Sequence, residues 1–201
     1  MGIIELLGLA GSVSLLSGWR LYATILITGL AMRSGWVPLP EQLQVLDVLA
    51  NPWVLGVAGG GAVMEFLADK VMWLDSIWDA IHSLIRPVGG ALLALAIVDP
   101  GDPTWQVVAF LLGGGAAFAA HAGKASARAA VNASPEPVSN VVVSTAEDVA
   151  TVGLLALAIA NPVAAAVIAA VLLVISIVLI VVVGRAVRRF FRRTRERPGA
   201  V

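Results

Sequence analysis

The chain is predicted to be an all-α, polytopic membrane protein, with about six transmembrane helices, an interrupted first segment and an internal two-helix parallel repeat. Three observations predict it. Hydrophobic residues make up 59% of the 201 residues and charged residues only 13%, against about a quarter in soluble domains. Apolar stretches long enough, or nearly so, to cross about 30 Å of hydrocarbon recur along the whole chain. Proline-bearing breaks separate them, and the basic residues gather on alternate connections.

The six stretches run Ile3 to Met32, Pro52 to Ala68, Ile81 to Val98, Trp105 to Gly123, Val138 to Ala160 and Pro162 to Val183. Asn51-Pro52, Asp99-Pro100, Ser134-Pro135-Glu136-Pro137 and Asn161-Pro162 punctuate them, because proline lacks the N–H that would continue a helix. The first stretch is too long for one span. As a helix its 30 residues would reach about 45 Å, so a break is expected at Ser17-Gly18-Trp19-Arg20. The chain then reads as one transmembrane domain over 1–184, with repeat units at about 52–100 and 105–162, and a basic tail over 185–201.

Orientation follows from charge. Seven arginines between Arg185 and Arg197 follow the last stretch, and basic residues favour the cytoplasmic side. Alternating backwards places Lys70, Arg86, Lys124 and Arg128 on that side too, which leaves only Arg20 and Arg33 outside it. Both termini are thereby expected in the cytoplasm of a multi-pass plasma (inner) membrane protein. No basic residue precedes the first apolar run, so no cleaved signal is expected. The chain has no cysteine, which excludes disulfides, thiolate metal sites and cysteine nucleophiles.

The repeat rests on two pairs of segments. GGGAVMEFLADK at Gly59 to Lys70 resembles GGGAAFAAHAGK at Gly113 to Lys124, and LLALAIVDP at Leu92 to Pro100 resembles LLALAIANP at Leu154 to Pro162. Glycine triplets let backbones approach closely in lipid. The stretches holding Gly59 to Gly61 and Gly113 to Gly115 are therefore expected to pack together at the centre.

Charge inside a membrane costs at least about 2.5–3.5 kcal/mol per residue, so each ionisable group there needs a reason. Asp75, Asp79, His82 and Arg86 are spaced four, three and four, which is one helix face, with Trp73, Ile77, Ile81 and Ile85 on another. Glu65 and Asp69 precede them. The second half supplies Lys124, Arg128, Asn132, Glu136, Asn140, Glu147 and Asp148, and Arg20 lies in the interrupted segment. These residues are expected to form one polar centre near the cytoplasmic side that binds or relays an ion. The repeat alignment pairs Arg86 with Asp148. Simpler roles compete: Asp75 as a helix cap, Ser144 with Glu147 as a capping box, and an amphipathic helix lying in the interface. Asp75, Asp79 and His82 are also the only candidate metal set.

The stretches SGWRLYATIL, EFLADKVMWLDSIWDAIHSLIRP and KASARAAVNASPEPVSN resemble the bacterial membrane family called domain of unknown function 4126. The resemblance runs over nearly the whole chain and implies its fold, not an activity. That family usually has proline just before Trp-Leu-Asp, where this chain has Met72, which is expected to soften a turn.

No HExxH, serine elbow or phosphatase-like signature is present. A small transporter or channel for a cation or a proton-coupled solute ranks first. A structural or assembly subunit ranks second. An enzyme on a lipid headgroup, with Asp75, Asp79 and His82 as its site and Lys124 or Arg128 on phosphate, ranks third. The partners expected are the bilayer, a small ion or solute and, in a homo-oligomer, further copies of the chain. No cofactor and no nucleic acid is expected.

Overall fold

The computed structural model describes residues 3–35, 48–97, 103–132 and 137–195. Among these, seven helices and no strand are found: α1 (Ile3–Trp19), α2 (Leu21–Arg33), α3 (Pro52–Ala68), α4 (Met72–Leu95), α5 (Pro103–Asn132), α6 (Pro137–Ala160) and α7 (Pro162–Arg195). Four of them begin at proline, whose missing N–H costs nothing in the first turn. Asn51 caps α3 by accepting from Trp53 N at 2.9 Å, and Asn161 accepts from Ala164 N at 3.0 Å at the start of α7. The arginine-rich tail continues α7 as helix as far as Arg195.

The first segment is broken where expected, at Arg20, which takes non-helical backbone angles (φ −141°, ψ 82°) between α1 and α2. The break makes a hairpin, not a kinked span. Gly8 abuts Pro162 and Ala166, Gly18 abuts Ala117, and Lys124 reaches the Trp19 carbonyl. So α1 runs alongside α5 and α7 towards the end of the bundle where Arg20 lies. Then α2 turns back along α3, with Tyr22 against Gly61 and Gly29 against Leu49. Because α1 starts beside the start of α7, a helix of 34 residues and so about 50 Å long, the N-terminal end and the arginine tail lie at opposite ends of the bundle.

Among the described residues, three helices are long and apolar enough to cross a membrane, over Pro103–Ala129, Val141–Ala160 and Pro162–Phe190, while α2 and α3 are apolar but shorter. The interior is built from α1. Leu9, Val13 and Leu16 pack with Leu93 and Ile97 of the α4 end, Leu155 and Ala158 of α6 and Ala165 of α7.

The glycine triplets do not meet. A Cβ at Gly60 or Gly115 would touch nothing, and Gly61 packs on Tyr22. Close approach occurs instead between α4 and α5, where Gly90 and Gly113 face each other, and between α1 and α5 at Gly18. Ser14 Oγ donates to the Gly90 carbonyl at 2.9 Å across that contact. Small residues mark where backbones can touch, but the direction each helix faces decides which of them do.

Candidate functional site

The helix α4 is amphipathic in reverse. Asp75, Asp79, His82 and Arg86 are buried, while Trp73, Ile77, Ile81 and Ile85 are exposed. The predicted polar face therefore points into the bundle, and the apolar face points to where lipid would be. An interfacial helix would present its polar face to water, so that reading fails here. Asp75 does not cap α4 either. Val71 is the capping position, without a side-chain bond. Ser144 is likewise no cap, because α6 starts at Pro137 and Ser144 lies inside it, fully buried.

Around that face two ionic groups form. In the first, Arg86 is fully buried and donates to Glu65 Oε1 at 2.8 Å and to Asp79 Oδ1 at 3.0 Å. It also contacts His121 Nδ1 at 2.7 Å. Arginine can only donate, so His121 Nδ1 accepts and its Nε2 carries the hydrogen, aimed at the Asp79 carbonyl at 3.2 Å. His82 has the opposite tautomer. Its Nδ1 donates to the Trp78 carbonyl at 2.8 Å, which leaves Nε2 to accept from the Tyr22 hydroxyl at 3.2 Å. His82 also stacks on Trp78, with ring centroids 4.2 Å apart.

The second group centres on Asp69, which ends α3. Its Oδ2 lies 2.7 Å from Arg20, 2.8 Å from Lys124 and 3.0 Å from Arg128. Arg128 also holds Glu147 at 3.2 Å. Arg20 reaches Asp148 at 2.8 Å, and Lys70 reaches Asp148 at 3.3 Å and Ser144 Oγ at 2.6 Å. Asp69 stands between the spanning stretches that end at Ala68 and begin at Ile81. Burial there would raise its pKa, but Lys124, Arg20 and Arg128 outweigh burial and hold it at about 2.

Of the expected residues, Arg20, Glu65, Asp69, Asp79, Arg86, Lys124, Arg128, Glu147 and Asp148 take part in these two ionic groups, and Asp75 and His82 are buried on the same face of α4. The side chains of Asn132, Glu136 and Asn140 lie outside the described residues. One pairing is corrected. Arg86 is held by Glu65, Asp79 and His121, whereas Asp148 belongs to Arg20 and Lys70. Arg20, placed by charge alternation away from the other bases, sits among them. The metal set is not assembled. No three His, Asp or Glu side chains among the described residues converge on a point, and His82 is engaged by Trp78 and Tyr22. Lys70, His121, Tyr22 and Ser144 were missed as site residues. The lysine that closes both glycine-triplet segments, Lys70 and Lys124, and the position of His121 three residues before Lys124 were the available signals.

Apolar side chains cover the outside, Val163, Val167, Val171, Val174 and Val178 of α7 among them, while charge fills the inside. That inversion, with three helices fit to cross a bilayer, defines the class: a helical membrane protein with an ionic interior. Within that class the chain belongs to the family described as Domain of unknown function (DUF4126), whose model matches residues 7–182. No curated protein and no solved structure matches it.

Proposed function

We propose that this protein is a small multi-pass transporter or channel of the plasma (inner) membrane, and that its ionic centre handles a cation or protons. One observation carries the reading. Five cations and six carboxylates from α3, α4, α5, α6 and the α1–α2 break lie together in one region, eight of them buried and Lys70, Glu147 and Asp148 half-buried. Burying that many charges to hold a bundle together is poor economy, since apolar residues of equal volume often stabilise as well or better. Such a cluster in a membrane domain is the usual mark of an ion or proton path.

The arginines on α7 favour a cytoplasmic tail, which puts the centre towards the cytoplasm and the start of α1 on the far side. On this reading α3–α4 and α5–α6 are the duplicated units, each delivering charged residues to the centre. The test is flux. The purified chain in liposomes should dissipate an imposed proton, sodium or potassium gradient faster than empty liposomes, and Asp79→Asn should slow it. Protein-containing liposomes that hold all three gradients as well as empty ones would reject the reading.

A structural or assembly subunit is the second reading. It is favoured by α7, only 6% of whose most apolar window is buried, a face open to lipid or to another copy of the chain. Recovery of a stable homo-oligomer with no flux would support it.

A further inference from the structure

Ten of the eleven aspartate, glutamate, lysine and arginine side chains at the centre sit in an ion pair of 4 Å or less: Arg20, Lys70, Arg86, Lys124 and Arg128 with Glu65, Asp69, Asp79, Glu147 and Asp148. Asp75 is the eleventh. It is buried, 1% exposed, no cation among the described residues pairs with it, and its Oδ1 meets no donor. The groups that face it are Arg128 and Lys124 from α5, Asp69 from the end of α3, and Asp79 one turn along α4. Both cations are already engaged by Asp69 and Glu147. Five cations meet five paired carboxylates, so an ionised Asp75 would be the surplus charge. An isolated buried carboxylate neutralises itself by taking up a proton.

We propose that Asp75 is the proton-binding site of the ionic centre and carries the one exchangeable proton that makes the centre neutral. On release, the carboxyl O–H bond breaks, the proton passes to water, and the centre is left with one negative charge. Asp75 lies in the first turn of α4, ahead of the spanning stretch that begins at Ile81. A site that exchanges this proton near neutral pH could be driven by a cell's own gradient. The inference deepens the transport reading, yet protonation can be measured with no transport at all.

The experiment is infrared difference spectroscopy on the full chain in lipid nanodiscs, stepped from about pH 6 to about pH 8, a window bracketing neutrality. Wild type should lose a protonated-carboxyl carbonyl band that shifts in heavy water. Asp75→Asn should lack that band, and Glu147→Gln should keep it. A full band in Asp75→Asn, or none in wild type, overturns the proposal. Should Asp75→Asn not fold, Asp75→Glu decides: a band with a displaced midpoint supports the assignment, and an undisplaced one rejects it. The band without liposome flux rejects transport and keeps Asp75. Flux without the band does the reverse.

Discussion

Arg20 Nη1 lies 2.7 Å from Asp69 Oδ2, and this ion pair ties the break in the first segment to the end of α3. Neither side chain is exposed. Arg20 interrupts the helix at the level where Asp69, Lys124, Arg128 and Asp148 converge, so the α1–α2 hairpin has its turn inside the ionic centre. A non-helical residue inside a bundle needs partners for its backbone groups. The Arg20 N–H donates to the Leu16 carbonyl at 2.8 Å and its carbonyl accepts from Thr24 N–H at 3.0 Å, while its guanidinium donates to the Ser144 carbonyl and hydroxyl at 3.2 and 3.3 Å.

Asp69→Asn should be among the most damaging single changes. It leaves Lys124 and Arg128 one carboxylate short, and breaking a buried pair costs about 3–5 kcal/mol. Folded yield in detergent should fall sharply. A melting temperature within a degree or so of wild type would show that Glu147 and Asp148 suffice to hold the cations.

Acid should act through the same residue. Asp69 titrates at about 2 when folded, below the roughly 3.9 of a free aspartate. A depressed carboxyl stabilises the fold above its unfolded value, and that stability is lost as the pH falls through the folded one. Melting curves should therefore drop between about pH 4 and about pH 2, and Asp69→Asn should flatten that part of the profile.

Arg86→Lys should not rescue Arg86→Met. One guanidinium bonds Glu65, Asp79 and His121 from two nitrogens, and a lysine ammonium has no planar fork to span them. Both variants should lose at least about 2 kcal/mol of stability, as expected for a broken buried network. A fully stable Arg86→Lys protein would mean that charge alone matters there.

Glycines separate cleanly by contact. Gly18→Leu should disrupt folding, because even a Cβ there meets the Ala117 backbone, and overpacking costs about 1–3 kcal/mol or more. Gly60→Leu should be tolerated, since nothing lies within 4 Å of the added atom. Equal detergent melting for both variants would contradict this packing.

The lack of cysteine makes topology easy to probe. Single cysteines at Ser34 and Arg188, both exposed positions, should label oppositely in whole cells treated with an impermeant thiol reagent. Ser34→Cys should react and Arg188→Cys should resist. Equal reactivity would place the α2 end and the α7 tail on one side.

By itself the sequence determined the class of protein and the polar face of α4. Lipid as a solvent dictates composition, and a 3.6-residue period dictates which side chains share a face, so Asp75, Asp79, His82 and Arg86 could be grouped with no structure in hand. It also located the break to Ser17-Gly18-Trp19-Arg20, from excess length and the residues at the middle of the stretch. Only the tertiary structure decided partners and packing. Arg86 chose Glu65 and His121 over Asp148, Gly18 and Gly90 became contacts where Gly60 did not, and the first segment turned back on itself. The physical reason is common to all three. Each depends on the depth and rotation of one helix against another, and local periodicity leaves both of these free until the whole bundle is packed.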